Sequence, residues 1–173
     1  MKLQELLAEL DQYETRIPLD VLDDALKRVE MSCDCVSEHL IFENEFYQRN
    51  LLHNGPAYQA LVICWRNGQR SLIHDHIGSS CGVRVLKGVA TETLFAWSDN
   101  RMIYPTQTRL LTEGSICAAE DMDIHQISNL QAGNHDLVTL HIYSPALVRM
   151  GVYSLTDSRV ERKEDYEIVT NSG

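Results

Sequence analysis

The chain has 173 residues, 44% of them hydrophobic, and a net charge of −10 from 25 acidic and 15 basic side chains. That size suits one domain around one sizeable core, taken here as residues 1–173, and the acidic balance argues against nucleic acid or an anionic membrane as partner. No stretch reaches the roughly 18 apolar residues of a membrane span, and five cysteines (Cys33, Cys35, Cys64, Cys81, Cys117) at irregular spacing do not resemble a secreted disulfide framework.

The segment 1–40 reads as helical. Leu3, Leu6, Leu7 and Leu10 recur at helical spacing, and Glu5 and Glu9 interrupt the run, which sets it apart from a signal peptide. A second helix is expected over 18–30, with Pro18 in its first turn and Leu19, Leu22, Leu26 and Val29 as its apolar stripe. From about residue 45, short runs of Val, Ile, Leu, Thr and aromatics alternate with Gly, Asn, Asp and Pro. Strands are expected at 47–52, 58–65, 71–76, 82–86, 90–97, 109–111, 115–118, 125–128, 136–143 and 151–155. This pattern predicts a mainly β, antiparallel sandwich or barrel over 45–155. The charged tail, 156–173, reads as an edge segment followed by a loose end. A soluble, cytoplasmic monomer acting on small molecules is expected.

His74 and His76, two residues apart in an expected strand, project from one face. If that face lines a barrel, both imidazoles converge, and His125 from another strand completes three neutral metal ligands. Taken alone, a His-x-His pair is more often two half-exposed strand histidines. The flanks change that. Gly68-x5-His74-x-His76-x4-Cys81-x6-Gly88 resembles the first motif of the cupin superfamily, a jelly-roll-like antiparallel β-barrel, with Cys81 where cupins usually carry glutamate. Gly114 and His125-Gln-Ile-Ser-Asn129 resemble the second, without its internal proline and glycine, so a different turn is needed near 121–123. Losing the carboxylate leaves three neutral ligands and open coordination positions. Imidazole suits iron and zinc alike, so a three-histidine zinc hydrolase satisfies the same ligand set.

Within the cupins the chain resembles the cysteine dioxygenases, iron enzymes that convert cysteine to its sulfinic acid. The resemblance covers about 42–145 and includes Tyr47-Gln-Arg49-Asn50-Leu51, Ile63-Cys64-Trp65, His74-Asp-His76, Cys81, Glu92-Thr-Leu-Phe95-Ala-Trp97, His125-Gln-Ile-Ser-Asn129 and Leu140-His141-Ile-Tyr143-Ser-Pro145. It implies that His74, His76 and His125 bind Fe(II). Arg49 would pair with the substrate carboxylate, supported by Tyr47; a planar guanidinium suits that bidentate task. Tyr143 would place its hydroxyl beside the iron, and Cys81 would join Tyr143 through a thioether, as in animal members. Thr139, His141 and Tyr143 alternate on one strand face and are expected to hydrogen-bond in series; the family usually has serine at the position of Thr139. The implied substrates are a small thiol, L-cysteine, and O2. Rival readings are a 3-mercaptopropionate dioxygenase, whose relatives tend to carry glutamine at the position of Arg49, and a non-enzymatic metal-binding cupin. Trp65, Ile63 and Trp97 are expected to pack the barrel or pocket wall, Cys64 and Cys117 the core, and His53 and His135 to sit solvated in turns.

Overall fold

The computed structural model describes residues 1–164, 168 and 170. Two helices open the chain, α1 (Leu3–Leu10) and α2 (Leu19–Arg28), followed by a 3₁₀ segment at Cys33–His39. The first forty residues are therefore helical in three short pieces. The strands are β1 (Gln48–Asn54), β2 (Gln59–Trp65), β3 (Ile73–His74), β4 (Ser80–Lys87), β5 (Val89–Trp97), β6 (Ile103–Thr112), β7 (Ile116–Ala119), β8 (Ile124–Ser128), β9 (Leu137–Ser144), β10 (Arg149–Tyr153) and β11 (Glu161–Glu164). They form two antiparallel sheets, ordered β1-β2-β9-β4-β7 and β11-β10-β3-β8-β5-β6. The architecture is a cupin-type, jelly-roll-like barrel with a helical N-terminal segment.

Strand alternation decides what faces inward. In β9, Val138, Leu140 and Ile142 join Ala60, Val62 and Cys64 of β2 in a cluster with Leu6, Leu10, Leu22 and Leu26 of the helices. The opposite face of β9 carries Thr139, His141 and Tyr143 into the barrel, beside Leu61, Ile63 and Trp65. Every residue of β9 is buried, because α1 and α2 cover the outside of the five-stranded sheet. Gly82 lets α2 pack closely: a Cβ there would lie 2.7 Å from Leu26 Cδ1, so the Leu26 side chain would have to shift.

Several elements differ from the sequence reading. β6 is longer than the three-residue run expected, since it is an edge strand whose exposed Thr106, Gln107 and Thr108 carry no apolar signal. β3 is shorter and ends at His74, because the next residues bond through turns and side chains instead of a ladder. Trp97 is 44% exposed, packed edge-on against Tyr153 and not inside the barrel. His53 is held by Asp11 at 2.9 Å and is not a free turn residue, whereas His135 is exposed. β11 supplies the expected edge segment; the loose end falls largely on residues outside those described.

Candidate metal centre

Three histidines converge at one place inside the barrel. β3 carries His74, β8 carries His125, and the two pair directly across the sheet. His76 follows in the loop after β3, anchored by its backbone N–H donating to Asp121 O at 3.2 Å. The turn holding Asp121 replaces the cupin Pro/Gly turn. It is closed by Asp123 N donating to Glu120 O at 3.0 Å and by Glu120 N donating to the Asp123 carboxylate at 3.0 Å. One ligand atom from each of the three histidines lies within 4.8 Å of the others, and all three side chains are buried.

The donor set fits a metal ion. His74 donates Nδ1–H to Leu72 O and His125 donates Nδ1–H to Glu92, both at 2.9 Å, which leaves each Nε2 as a lone pair. His125 Nε2 and His76 Nε2 are 3.3 Å apart. Two nitrogens bound to one metal at about 2.1 Å each, at angles of 90–110°, would be separated by roughly 3.0–3.4 Å. Burial first, and then the neighbouring His125, push His74 down to about 3. His76 is also held well below the ordinary imidazole range, first by burial and then by His125 and His74. Neutral rings with inward lone pairs are the state that binds a metal.

Two carboxylates brace these ligands, and neither stood out in the sequence. Glu92 of β5 is 1% exposed and bridges His125 and Arg109, whose Nε donates to it at 2.5 Å. Burial pushes this carboxyl up, but the hydrogen bonds from His125 and Arg109 outweigh it and hold the group below its usual range. Asp75 sits between the two ligands of the His-Asp-His run and is 2% exposed. It accepts from Gly151 N at 2.8 Å, Ile77 N at 3.2 Å and the Tyr153 hydroxyl at 2.5 Å, tying the loop to β10. A Cβ on Gly151 would fall 2.4 Å from Asp75 Oδ2, so only glycine allows this contact.

The five-stranded sheet faces the histidines with different groups. Cys81 of β4 pairs directly with Tyr143 of β9, which puts both side chains on one face with Cβ atoms typically ~5 Å apart. Both are buried. The Cys81 thiol is pushed up by burial and then by Cys117, and the Tyr143 phenol by burial and then by Cys81. Thr139 Oγ1 lies 3.0 Å from His141 Nε2, and His141 Nδ1 lies 3.0 Å from the Tyr143 hydroxyl. The series expected along β9 is therefore present. The Tyr143 ring lies 5.7 Å from the His76 ring, which connects the two sides. Arg49 of β1 is 5% exposed, and its charge acts on His74, His76, His141 and Tyr143, behind the larger effect of burial in each.

Tyr47 and Arg49 line a pocket of about 800 Å³ together with Phe46, Arg70, Leu72 and Lys163. A wider cleft of about 1000 Å³ lies beside Arg16 and Asp20; none of the three histidines lines either space, and His125 lines a smaller one of about 270 Å³ with Glu92 and Arg109. Trp65, expected as packing, does pack. It stacks on Tyr47 with ring centroids 4.3 Å apart, and its indole N–H also donates to Thr139 Oγ1 at 2.9 Å.

Comparison with known proteins narrows this geometry. A family profile described as "Cysteine dioxygenase type I" matches residues 5–156. Cysteine dioxygenase type 1 of Bos taurus is 37% identical over 109 residues, which is 60% of this chain and 54% of that protein. The Homo sapiens protein of the same name is 36% identical over 109 residues, with the same shares. The match thus spans about half the length (54%) of these curated relatives. Among solved structures, an uncharacterised double-stranded β-helix protein of Klebsiella pneumoniae superposes with a TM-score of 0.56 at 17% identity, covering 68% of this chain and 88% of that one. A Thermus thermophilus protein superposes with a TM-score of 0.51 at 17% identity, covering 64% and 94%. At that identity these two likenesses concern the fold.

Proposed function

Because the chain belongs to the cysteine dioxygenase type I family, we propose that it is a non-haem Fe(II) thiol dioxygenase that converts L-cysteine and O2 to cysteine sulfinic acid. The observation that carries this reading is the meeting, in one barrel, of a buried three-histidine set with a buried arginine and a buried tyrosine–histidine pair. A generic cupin would carry a carboxylate at the position of Cys81.

His74, His76 and His125 would hold the metal, each through Nε2. Fe(II) bound there would supply open positions at which a thiolate and O2 come together. Three neutral ligands leave the ion's charge available to stabilise the ionised substrate sulfur. Arg49 would take the substrate carboxylate in a bidentate grip, with Tyr47 beside it, and so fix the sulfur relative to the metal. Tyr143 would present its hydroxyl to the reacting atoms, held by His141 and, through it, by Thr139. Cys81 would bond through Sγ to the Tyr143 ring, the S–H and ring C–H hydrogens leaving as two protons and two electrons taken up by O2, which pins the phenol. The direct cross-strand pairing of these two residues supports that bond.

The test is to load the full chain anaerobically with Fe(II), then measure O2 uptake and sulfinate formation with L-cysteine, 3-mercaptopropionate and cysteamine. Uptake with sulfinate formed from cysteine is expected; no uptake with any thiol would overturn the reading. Arg49→Ala should raise KM for cysteine far more than for cysteamine, which lacks the carboxylate. Peptide mass spectrometry after turnover should find Cys81 and Tyr143 in one linked species.

A further inference from the structure

We propose that Trp65 is a positioning residue that sets the direction of the hydrogen-bond chain ending at Tyr143: its indole N–H obliges Thr139 to donate to His141, which leaves the Tyr143 hydroxyl hydrogen to point away from His141. The link to catalysis rests on the function proposed above; the direction of the chain does not.

An indole nitrogen donates and cannot accept. Trp65 is 1% exposed, and its Nε1–H meets Thr139 Oγ1 at 2.9 Å. Thr139 is 0% exposed, and among the described residues the other polar partner of its hydroxyl is His141 Nε2 at 3.0 Å. The buried His141 ring is neutral, so one nitrogen carries the hydrogen and the other does not.

Two arrangements are open to such a chain. In the first, Thr139 accepts from Trp65 and donates to His141 Nε2. His141 then carries its hydrogen on Nδ1 and donates to the Tyr143 oxygen at 3.0 Å. Every group between Trp65 and Tyr143 is satisfied, and the Tyr143 O–H is left to donate elsewhere. In the second, His141 donates from Nε2 to Thr139, and Tyr143 donates back to His141. Thr139 Oγ1 would then accept twice, and its own hydrogen would be stranded in a dry interior. The N–H of Trp65 is what separates the two. In its place the smaller ring of a phenylalanine admits water, which can donate to Thr139 or accept from it, so that either arrangement is satisfied. The stack of Tyr47 on Trp65 holds the indole plane in place, so a ring that lines the pocket beside Arg49 also steadies the far end of the chain.

The test reads the tautomer of His141 directly, using histidine-nitrogen NMR on the full chain, both metal-free and with diamagnetic Zn(II) bound. His141 is assigned by the signal that disappears in His141→Gln. The unaltered chain should carry the His141 hydrogen on Nδ1 alone, and Trp65→Phe, which keeps an aromatic ring against Tyr47, should show both tautomers. A hydrogen on Nε2 in the unaltered chain, or on Nδ1 alone in Trp65→Phe, overturns the proposal. If Trp65→Phe does not fold, the unaltered chain still decides: a hydrogen on Nε2 there is fatal by itself. With Fe(II) and cysteine, Trp65→Phe should lower kcat roughly ten-fold while KM moves less than about two-fold. Loss of dioxygenase activity in every form, with the tautomer shift intact, would instead count against the proposed function.

Discussion

The two sheets meet the same barrel interior with opposite chemistry. The six-stranded sheet holds the three histidines with fixed charges: Glu92 between His125 and Arg109, and Asp75 between the backbone of Gly151 and the hydroxyl of Tyr153. The five-stranded sheet hydrogen-bonds Tyr143 through a neutral chain, Trp65, Thr139 and His141, and among the described residues its one buried charge facing that chain is the cation Arg49 of β1. A carboxylate behind an imidazole raises its basicity and fixes its tautomer, which suits a metal ligand. A neutral chain of donors keeps hydrogens in place without adding charge beside the site. One wall is built to grip a cation and the other to aim a proton.

The comparison is broken most severely by removing a ligand. His76→Ala should reduce bound metal from about one per chain to near none and abolish thiol-dependent O2 uptake; metal analysis and oxygen electrode traces check both. The next effect is on stability. Burial keeps His74, His76 and His141 neutral in the folded chain, whereas in the unfolded chain they titrate near ~6.5. Below that pH the unfolded state binds more protons, so the metal-free fold loses stability as pH falls, by up to about 1.4 kcal/mol per pH unit for each ring. For His74 the loss continues down to its folded value of about 3. Denaturant midpoints between about pH 7.5 and about pH 5 should therefore drop steadily on the acid side; a flat profile would contradict it.

A smaller change sharpens the contrast. Glu92→Gln keeps the shape but removes the charge behind His125, and should weaken metal binding about 10–100-fold, measured by competitive Zn(II) titration. The smallest effect belongs to the neutral chain. Thr139→Ser keeps the hydroxyl and loses one buried methyl, so the unfolding free energy should fall by about 1 kcal/mol with the His141 tautomer unchanged.

Much of this was legible in the chain. The alternation of Thr139, His141 and Tyr143 is a local pattern that a strand's period of two turns into a shared face, whereas His74 and His76 converge although β3 ends at His74 and His76 sits in the loop after it. The apolar stripe of α2 was equally local. Glu92 was not, because it reaches His125 only through the register of β5 on β8, which sets Leu94 opposite His125 and Glu92 opposite Ile127. Trp65 reads as core by composition; its polar role needs the diagonal to Thr139 that appears when β2 pairs with β9. The length of β6 went unread for the converse reason, since an edge strand facing solvent leaves no apolar trace, while Trp97 at the end of β5 reads as interior by its side chain and is exposed.

The helical cover over β9 also bears on how the protein can be cut. Shortening the chain to begin after α2 would leave the barrel's strands intact in sequence while wetting Ala60, Val62, Leu140 and Ile142, the outer faces of β2 and β9. The N-terminal helices act as the waterproofing of the strand that carries Thr139, His141 and Tyr143, and a minimal fragment trimmed to the strands alone would expose that strand's back to water.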